Sequence, residues 1–259
     1  PDFNTAWHFD DKVGQKYLLE AVGAPLVPSF VFYTKQEALD WINNTSFPKV
    51  FKLRGGSSSD NVYLVRSNKH AIRLVNKAFG KGFKNYHGWS NFKERLRKYK
   101  KGITSFYEVC KGFIRIFYTT GFAKMAGREK GYAYFQEFID NNDCDIRIIV
   151  VGEKAFAIKR MVRENDFRAS GSGCILYDKS LFEIDTVKLA FDITISLKAQ
   201  CLAYDFVYKD GKPLLIEISY GFAVKSYDPC EGYWDKELNW HEGKFIPQHW
   251  MVDIICESM

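Results

Sequence analysis

The sequence lacks the features that mark membrane and exported proteins. No window of its 259 residues approaches the about 18 uninterrupted apolar residues that cross a bilayer as a helix. Its first residues show no basic segment followed by an apolar one, the pattern of a secretion signal. We therefore predict a cytoplasmic protein that has no membrane span.

Patterns for disulfides, zinc sites and side-chain nucleophiles are missing as well. The six cysteines are scattered and form no C-x-x-C pair, which favours reduced thiols over a disulfide framework or a zinc site. The five histidines show no spacing that would pair a nucleophile with a base. The sequence thus predicts chemistry that needs no Ser, Cys or His nucleophile.

Acidic residues are scarce in one stretch of the chain. Between Lys69 and Lys101 there are eleven lysines and arginines but a single acid, Glu94, although the net charge of the whole chain is only +6. Such a basic segment attracts phosphates, nucleic acid or anionic glycans. A solvated helical surface produces the same pattern, so this segment does not decide the function.

What is present is an ample apolar content, 46% hydrophobic residues, arranged as alternating helices and strands. We predict an α+β fold of two lobes, with the first at residues 1–135 and the second at 136–259. A basic helical insertion is expected at about residues 80–115 of the first lobe. An aromatic C-terminal tail is expected to pack over the second lobe, with sugar stacking as the alternative.

A predicted hairpin brings two carboxylates together near the end of the chain. The segment LAYDFVYKDGKPLLIEIS contains two strands that turn at Asp210-Gly211. Asp205 and Glu217 would meet on one face, and Ser219, two residues further, points to that face too. Carboxylate and hydroxyl oxygens are the hard ligands that magnesium takes together with nucleotide phosphates.

Cations and a polar loop indicate a phosphate site. Lys12 opens a helix, and Lys52 lies on the strand PKVFKLR that enters the loop GGSSSD, whose glycines allow backbone N–H groups to approach phosphates. Arg160 and Arg168 lie eight residues apart in the second lobe. The strand YFQEFI ends in a polar loop whose backbone could face an adenine edge, and Asp145 opens the next strand.

The ordered set of DK at residues 11–12, VFKL with its glycine-rich loop, QEFI, CDIRIIVVG, DFRAS, Asp205 and IEIS resembles the ATP-grasp superfamily. It is most similar to the branch of ribosomal-protein glutamate ligases. The resemblance covers roughly residues 10–225, and CDIRIIVVG followed by DFR is its most specific part.

The resemblance implies a role for each matching residue. Nucleotide phosphates and base would be held by Lys12, Lys52, Gly55, Gly56, Ser57, Ser58, Gln136, Glu137, Phe138 and Ile139, with Asp145 at the ribose. The acyl-phosphate region would be lined by Arg160 and Arg168, the catalytic candidates, and by Ser170. One or two magnesium ions, with Mn²⁺ as a substitute, would be held by Asp205, Glu217 and Ser219.

The function that the resemblance implies is ATP-dependent joining of a carboxylate to an amine through an acyl phosphate. The basic insertion suggests an anionic acceptor, such as a glycan, a nucleotide sugar or a peptide, whereas nucleic acid is not expected. Ser219 and Ala169 stand where the family usually has asparagine and serine. These departures motivate two alternatives: an ATP-binding protein without ligase activity, and a phosphotransferase on the same scaffold.

Overall fold

A computed structural model describes residues 1–55, 61–84, 88–100, 102, 104–117, 127–163, 166–169 and 173–257. The chain divides into two compact units. The first unit comprises Pro1–Phe30, Pro48–Leu64 and Tyr134–Met259, and the second comprises Val31–Phe47 and Val65–Ala133. No helix among the described residues is long and apolar enough to cross a membrane.

The helices and strands follow the predicted α+β class. In chain order they are α1 (Phe3–Ala6), α2 (Lys12–Ala21), β1 (Ser29–Phe32), α3 (Lys35–Asn44), β2 (Lys49–Lys52), β3 (Val62–Val65), α4 (Asn68–Ala78), β4 (Phe83–Lys84), α5 (Gly88–Lys100), α6 (Phe106–Phe117), β5 (Arg128–Glu129), β6 (Ala133–Glu137), β7 (Cys144–Val151), β8 (Lys154–Met161), β9 (Ile175–Leu176), α7 (Ile184–Leu197), β10 (Cys201–Lys209), β11 (Lys212–Ser219), β12 (Gly232–Asp235), β13 (Trp240–Glu242) and α8 (Pro247–Glu257).

The largest sheet lies in the first unit, with the strand order β11-β10-β7-β8-β12-β13 and β9 paired beside β8. Side chains alternate between its two faces, as the period of a strand requires. Ile146 and Ile148 of β7 belong to the core beneath α7, whereas Ile149 and Phe156 belong to the core on the opposite face. The near-continuous apolar runs of β7 and β8 therefore arise because both faces are covered.

The aromatic tail forms much of that second core, as predicted. Phe245 and Trp250 stack with ring centroids 4.9 Å apart, and both rings contact Phe156. Trp250 also packs against Tyr233, at 4.9 Å between centroids. Packing over the sheet is thus the role of these tail residues.

A smaller sheet has the order β1-β6-β2-β3. Strand β2 pairs antiparallel with β6, so that Lys52 lies opposite Tyr134 and Lys49 lies opposite Glu137. Every residue of β2 is buried, because Phe51 packs edge-on against Phe135 at 5.1 Å on one side of the strand. Burial of the strand carries its two lysines into the interior.

The predicted hairpin near the C-terminus is confirmed. Strands β10 and β11 are joined by two residues, Asp210 at φ 52° and Gly211 at φ 73°. Two consecutive positive φ values are the signature of a type I′ turn, which Asp-Gly sequences favour. The register places Asp205 directly opposite Glu217, and a bulge follows between Asp205 and Phe206.

In the second unit, α3 packs on α4 and α5 packs on α6. Ser67 caps α4 by accepting a hydrogen bond from the N–H of His70 at 3.3 Å. The sequence predicts the basic helix α5, whereas α6 was not predicted. The spacing of Val109, Gly112 and Ile116 was the signal for α6, since these residues recur at intervals of three and four.

The predicted boundary between the two lobes lies between Phe135 and Gln136, whereas the first compact unit also includes Pro1–Phe30 and Pro48–Leu64. The N-terminal segment is held in the first unit because Val27 donates to the carbonyl of Leu215 at 2.9 Å and Leu215 donates to that of Pro25 at 2.8 Å. Backbone pairing with β11 therefore places the N-terminal segment in the same compact unit as the C-terminal half of the chain.

The core around Phe156 gives a test of the fold. We expect Phe156→Ala to lower the free energy of unfolding by about 3–5 kcal/mol, since the change leaves a cavity among four aromatic rings. Phe3→Ala is the matched control, because Phe3 is 78% exposed. Urea denaturation followed by circular dichroism measures both, and equal effects would contradict this account of the core.

Candidate nucleotide-binding site

Four charged side chains form a continuous chain across β10, β7 and β8. Arg147 grips Asp205 with two hydrogen bonds, Nε to Oδ1 at 2.5 Å and Nη2 to Oδ2 at 2.6 Å. Arg160 grips Asp145 in the same bidentate way, with both distances 2.6 Å. A third contact, from Arg160 Nη2 to Asp205 Oδ2 at 3.0 Å, joins the two pairs.

The sheet register accounts for this arrangement. Asp145 lies opposite Arg160, and Asp205 lies opposite Arg147. Asp145 and Arg147 are two residues apart on β7, so their side chains point to the same face. Two arginines and two aspartates make the group neutral, which reduces the large cost of burying each charge alone.

The two aspartates of this group titrate differently. Burial would raise the pKa of Asp205, but the charges of Arg147 and Arg160 outweigh it and hold that pKa well below the usual range. Burial raises the pKa of Asp145 to about 6, because the attraction of Arg160 only partly offsets it and the charge of Asp205 adds to it. Asp205 is the firmly ionised member.

Lys52 lies within electrostatic reach of this group. The pKa of Lys52 is lowered to about 8, chiefly by burial and also by the charge of Lys12, although the charges of Glu217 and Asp205 act against the shift. No hydrogen bond or ion pair of the Lys52 ammonium group is found among the described residues. Lys52 is therefore a buried cation whose compensation is incomplete.

Helix α2 brings Lys12 to the same region. Asp11 caps the helix by accepting from the N–H of Gly14 at 2.8 Å, and the N–H of Lys12 donates to the carbonyl of Arg54 at 3.0 Å. Gln15, one turn on, accepts from the N–H of Ile218 on β11 at 3.4 Å. These contacts hold the start of α2 between the end of β2 and the strand that carries Glu217.

The predicted metal ligands do not form a closed cage in the described residues. Both oxygens of Asp205 accept from guanidinium groups, and the hydroxyl of Ser219 donates to the carbonyl of Gly221 at 3.0 Å. No group of three His, Cys, Asp or Glu residues fit to hold a metal occurs in the described part of the chain. Glu217, facing Asp205, fits a magnesium ion that takes most of its ligands from phosphates and water.

The side chains of the segment predicted to contact adenine are engaged in contacts within the protein. Glu137 forms an ion pair with Lys49 at 2.8 Å, and Gln136 donates to the hydroxyl of Ser29 at 2.9 Å. The ring of Phe138 meets that of Phe167 edge-on at 6.0 Å. These side-chain contacts fix the position of the segment. Its backbone groups and the side chain of Ile139 therefore remain the candidates for contact with a base.

The remaining candidates are Arg168 and Gly55, which make local contacts, and four residues outside the described ranges. Arg168 forms a bidentate pair with Asp166, the shortest contact being 2.6 Å, and lies over the ring of Phe167. Gly55 accepts at its carbonyl from the amide of Asn61 at 3.4 Å. Four of the predicted site residues lie outside the described ranges, namely Gly56, Ser57, Ser58 and Ser170.

Two residues of this site were missed by sequence reasoning. Arg147 could have been found, since it follows Asp145 by two residues and must share its face. Lys49 could not, because its partner Glu137 is 88 residues away. Only strand pairing between β2 and β6 brings them together.

Comparison with known proteins agrees with this fold. A family model described as the RimK-like ATP-grasp domain matches residues 125–229. No curated protein matches the chain. The resemblance to the ATP-grasp superfamily is confirmed, and the chain has an ATP-grasp fold.

Solved structures that resemble the chain are distant in sequence. Phosphoribosylamine–glycine ligase from Thermotoga maritima is 16% identical, with a TM-score of 0.53 over 85% of this chain and 49% of its own. The ATP-grasp ligase PsnB complexed with minimal precursor is 11% identical, with a TM-score of 0.54 over 96% of this chain and 60% of its own. A biotin carboxylase domain from Hydrogenobacter thermophilus, in complex with MgADP, is 12% identical, with a TM-score of 0.52 over 84% of this chain and 41% of its own.

This chain therefore spans between 41% and 60% of the length of these three structures. At such low identity the likeness defines the fold alone. The activity, the substrates and the roles of individual residues have to be argued from the site.

The buried cation gives a test of the site. We expect Lys52→Met to raise the free energy of unfolding at pH 7 by about 1–3 kcal/mol, since it removes a charge that burial disfavours. Because the folded-state pKa lies below the unfolded one, the parent should gain stability as the pH rises from about 8 to about 10.5, where the lysine loses its proton in both states.

The difference in the free energy of unfolding between the parent and Lys52→Met should therefore become smaller as the pH rises from about 8 to about 10.5. Denaturant titrations at neutral and alkaline pH measure it. Lys35→Met, at an exposed position at the start of α3, is the control for the loss of a lysine. A pH-independent difference would contradict the assignment of Lys52 as an incompletely compensated cation.

Proposed function

We propose that the chain is an ATP-dependent and magnesium-dependent carboxylate–amine ligase that acts through an acyl phosphate. The observation that carries this proposal is the charge distribution of the first unit. Lys12, Lys52, Arg147 and Arg160 converge on the sheet that bears Asp205 and Glu217. Asp205 and Asp145 neutralise the two arginines, and Lys12 has Asp10 at 3.9 Å. The incompletely compensated charge of the buried Lys52 suits a polyphosphate, and an ATP-grasp fold provides its setting.

Each cation would have a distinct part in the reaction. Lys12 and Lys52 would bind the nucleotide phosphates as point charges, at a site where burial strengthens electrostatic attraction. Arg160 would turn its guanidinium group toward the transferred phosphoryl group, the position where negative charge develops. The contact between Arg160 and Asp145 favours a positioning role for Asp145 over the ribose contact that the resemblance implies.

The proposed reaction needs little covalent chemistry from the protein. The substrate carboxylate attacks the γ-phosphorus, ADP departs, and an amine then displaces phosphate from the acyl phosphate. The side chains would hold the carboxylate in line with the phosphoryl group and keep the site dry. Magnesium, or Mn²⁺ in its place, would neutralise phosphate charge, with Glu217 as the protein ligand that remains open to it. The predicted ligand Asp205 would instead hold the arginines in place, since Arg147 and Arg160 occupy its oxygens.

The acceptor is proposed to be anionic and to meet the basic insertion. Among the described residues of α5, Lys93 and Lys100 are exposed and Arg97 is half-buried, and Arg95 is paired with Glu108. These cations would fit the acidic groups of a glycan, a nucleotide sugar or a peptide. The basic face of α5 is therefore the part of the insertion at which the acceptor proposal can be tested.

The ligase proposal predicts ADP release that depends on Glu217. We expect Glu217→Gln to lower ADP release in the presence of magnesium, a carboxylate panel and an amine panel by roughly 100-fold or more, because a neutral amide holds the metal poorly. Glu242→Gln, at an exposed position on β13, is the matched control. A coupled pyruvate kinase assay measures ADP.

Three other outcomes would contradict this proposal in different ways. Equal rates for parent and Glu217→Gln would refute the role of Glu217. Calorimetric binding of a non-hydrolysable ATP analogue without turnover on any panel would indicate a nucleotide-binding protein that is not a ligase. A phosphorylated product in place of free phosphate would indicate a phosphotransferase.

The acceptor proposal predicts an effect on KM alone. We expect Lys93→Glu combined with Lys100→Glu to raise the KM of an anionic acceptor by roughly tenfold, with ATP binding unchanged, since charge reversal at these exposed positions repels the acceptor. Lys35→Glu, in α3 of the same unit, controls for the change in net charge. An unchanged KM would contradict the acceptor site.

A further inference from the structure

The second helix of the insertion has a large apolar face that is open to solvent. We define the outer face of α6 by Phe106, Tyr107, Phe113 and Ile114, which are 63%, 71%, 50% and 57% exposed. Residues seven apart lie on one side of a helix, so Phe106 aligns with Phe113 and Tyr107 aligns with Ile114. The face thus extends along about 12 Å, because Phe106 and Ile114 are eight residues apart on the helix.

The opposite side of α6 is already used for packing. Val109 is buried, and Glu108 accepts a hydrogen bond from Arg95 of α5. Gly112 allows this approach, because a Cβ there would lie 2.6 Å from Arg95 Cδ. Contact with α5 also reaches the edge of the outer face, where the ring of Phe92 meets that of Phe113 at 5.7 Å. Tyr107 and Ile114 remain the most solvent-exposed part of the face, at 71% and 57%.

Aromatic residues of α5 extend this apolar surface. Trp89 is 55% exposed, and Lys93 lies over its ring at 5.6 Å. The ring of Tyr99 meets that of Phe106 at 5.8 Å and remains 43% exposed. Tryptophan and tyrosine with an apolar body and a polar tip suit the boundary between lipid headgroups and acyl chains.

Cations border the outer face. Residues 88–117 contain eight lysines and arginines against two glutamates. On α6 itself, Lys111 and Arg115 follow the edge of the apolar face, with Lys111 Nζ 3.7 Å from Glu108 Oε1. Long basic side chains of this kind extend their charged ends to the headgroup level while their stems remain in apolar surroundings.

We propose that the helical hairpin of α5 and α6 docks on an anionic lipid surface, with the outer face of α6 in the headgroup–acyl boundary. The excess of positive charge disfavours a second copy of the chain, since two such hairpins would repel each other. The face of a single helix is convex, whereas an amphipathic peptide docks into a groove. A bilayer offers negative charge and apolar depth together.

Vesicle sedimentation with the whole chain tests this proposal. The probes are vesicles of equal parts phosphatidylglycerol and phosphatidylcholine, and vesicles of phosphatidylcholine alone. We expect the parent to bind the anionic vesicles. Tyr107→Ser combined with Ile114→Ser should weaken this binding by roughly tenfold or more, since two apolar side chains are removed from the boundary. Tyr33→Ser combined with Ile195→Ser is the matched control, at positions 53% and 71% exposed.

Circular dichroism checks that both double variants are folded. Absence of sedimentation with anionic vesicles would overturn the proposal. Equal binding of the parent and the Tyr107/Ile114 variant, with full displacement by soluble inorganic polyphosphate, would also overturn it, because the hairpin would then bind anions only. Because ATP is not part of this assay, its failure and the failure of the ligase proposal are distinguishable.

Discussion

The balance of charge across β8, β7 and β10 is the constraint on which the rest of the site depends. Asp205 and Arg160 are buried, and a buried ion without a partner costs several kcal/mol. Their neutralisation requires Asp145 opposite Arg160 and Arg147 opposite Asp205. A shift of one residue in either strand pair would turn these side chains to the other face, so the ion pairs and the sheet register specify each other.

The lysines deviate from this balance in a way that indicates function. Lys49 is neutralised by Glu137, whereas in the described part of the chain Lys52 is offset by the charges of Glu217 and Asp205, against the repulsion of Lys12. A fold selected for stability alone would replace such a lysine with an apolar residue. Its presence fits the proposed ligase site, in which the phosphates of a nucleotide would supply the opposing charge.

The two units use their aromatic residues differently. In the first unit, rings of the C-terminal tail cover Phe156 and close one face of the large sheet. In the second unit, Phe106 and Tyr107 remain exposed on α6 beside a series of cations. Aromatic residues thus form a core in the first unit and, under the lipid proposal, a contact surface in the second. The burial of their side chains distinguishes the two roles.

Local patterns in the sequence determined the elements whose causes are themselves local. Asp11 caps α2, Asp210-Gly211 turns the hairpin, and the period of two places Asp205, Glu217 and Ser219 along one face. These features depend on residues a few positions apart, so they could be predicted. The ATP-grasp resemblance added the order of the motifs and hence the fold.

Only the tertiary structure decided which charges neutralise one another. Arg147 captures both oxygens of the predicted metal ligand Asp205, and Pro25 and Val27 join the N-terminal segment to β11. These contacts link residues 58 to about 190 positions apart and result from strand pairing and burial. Sequence spacing carries no signal of such pairs, because the free energy that selects them arises when the whole sheet assembles.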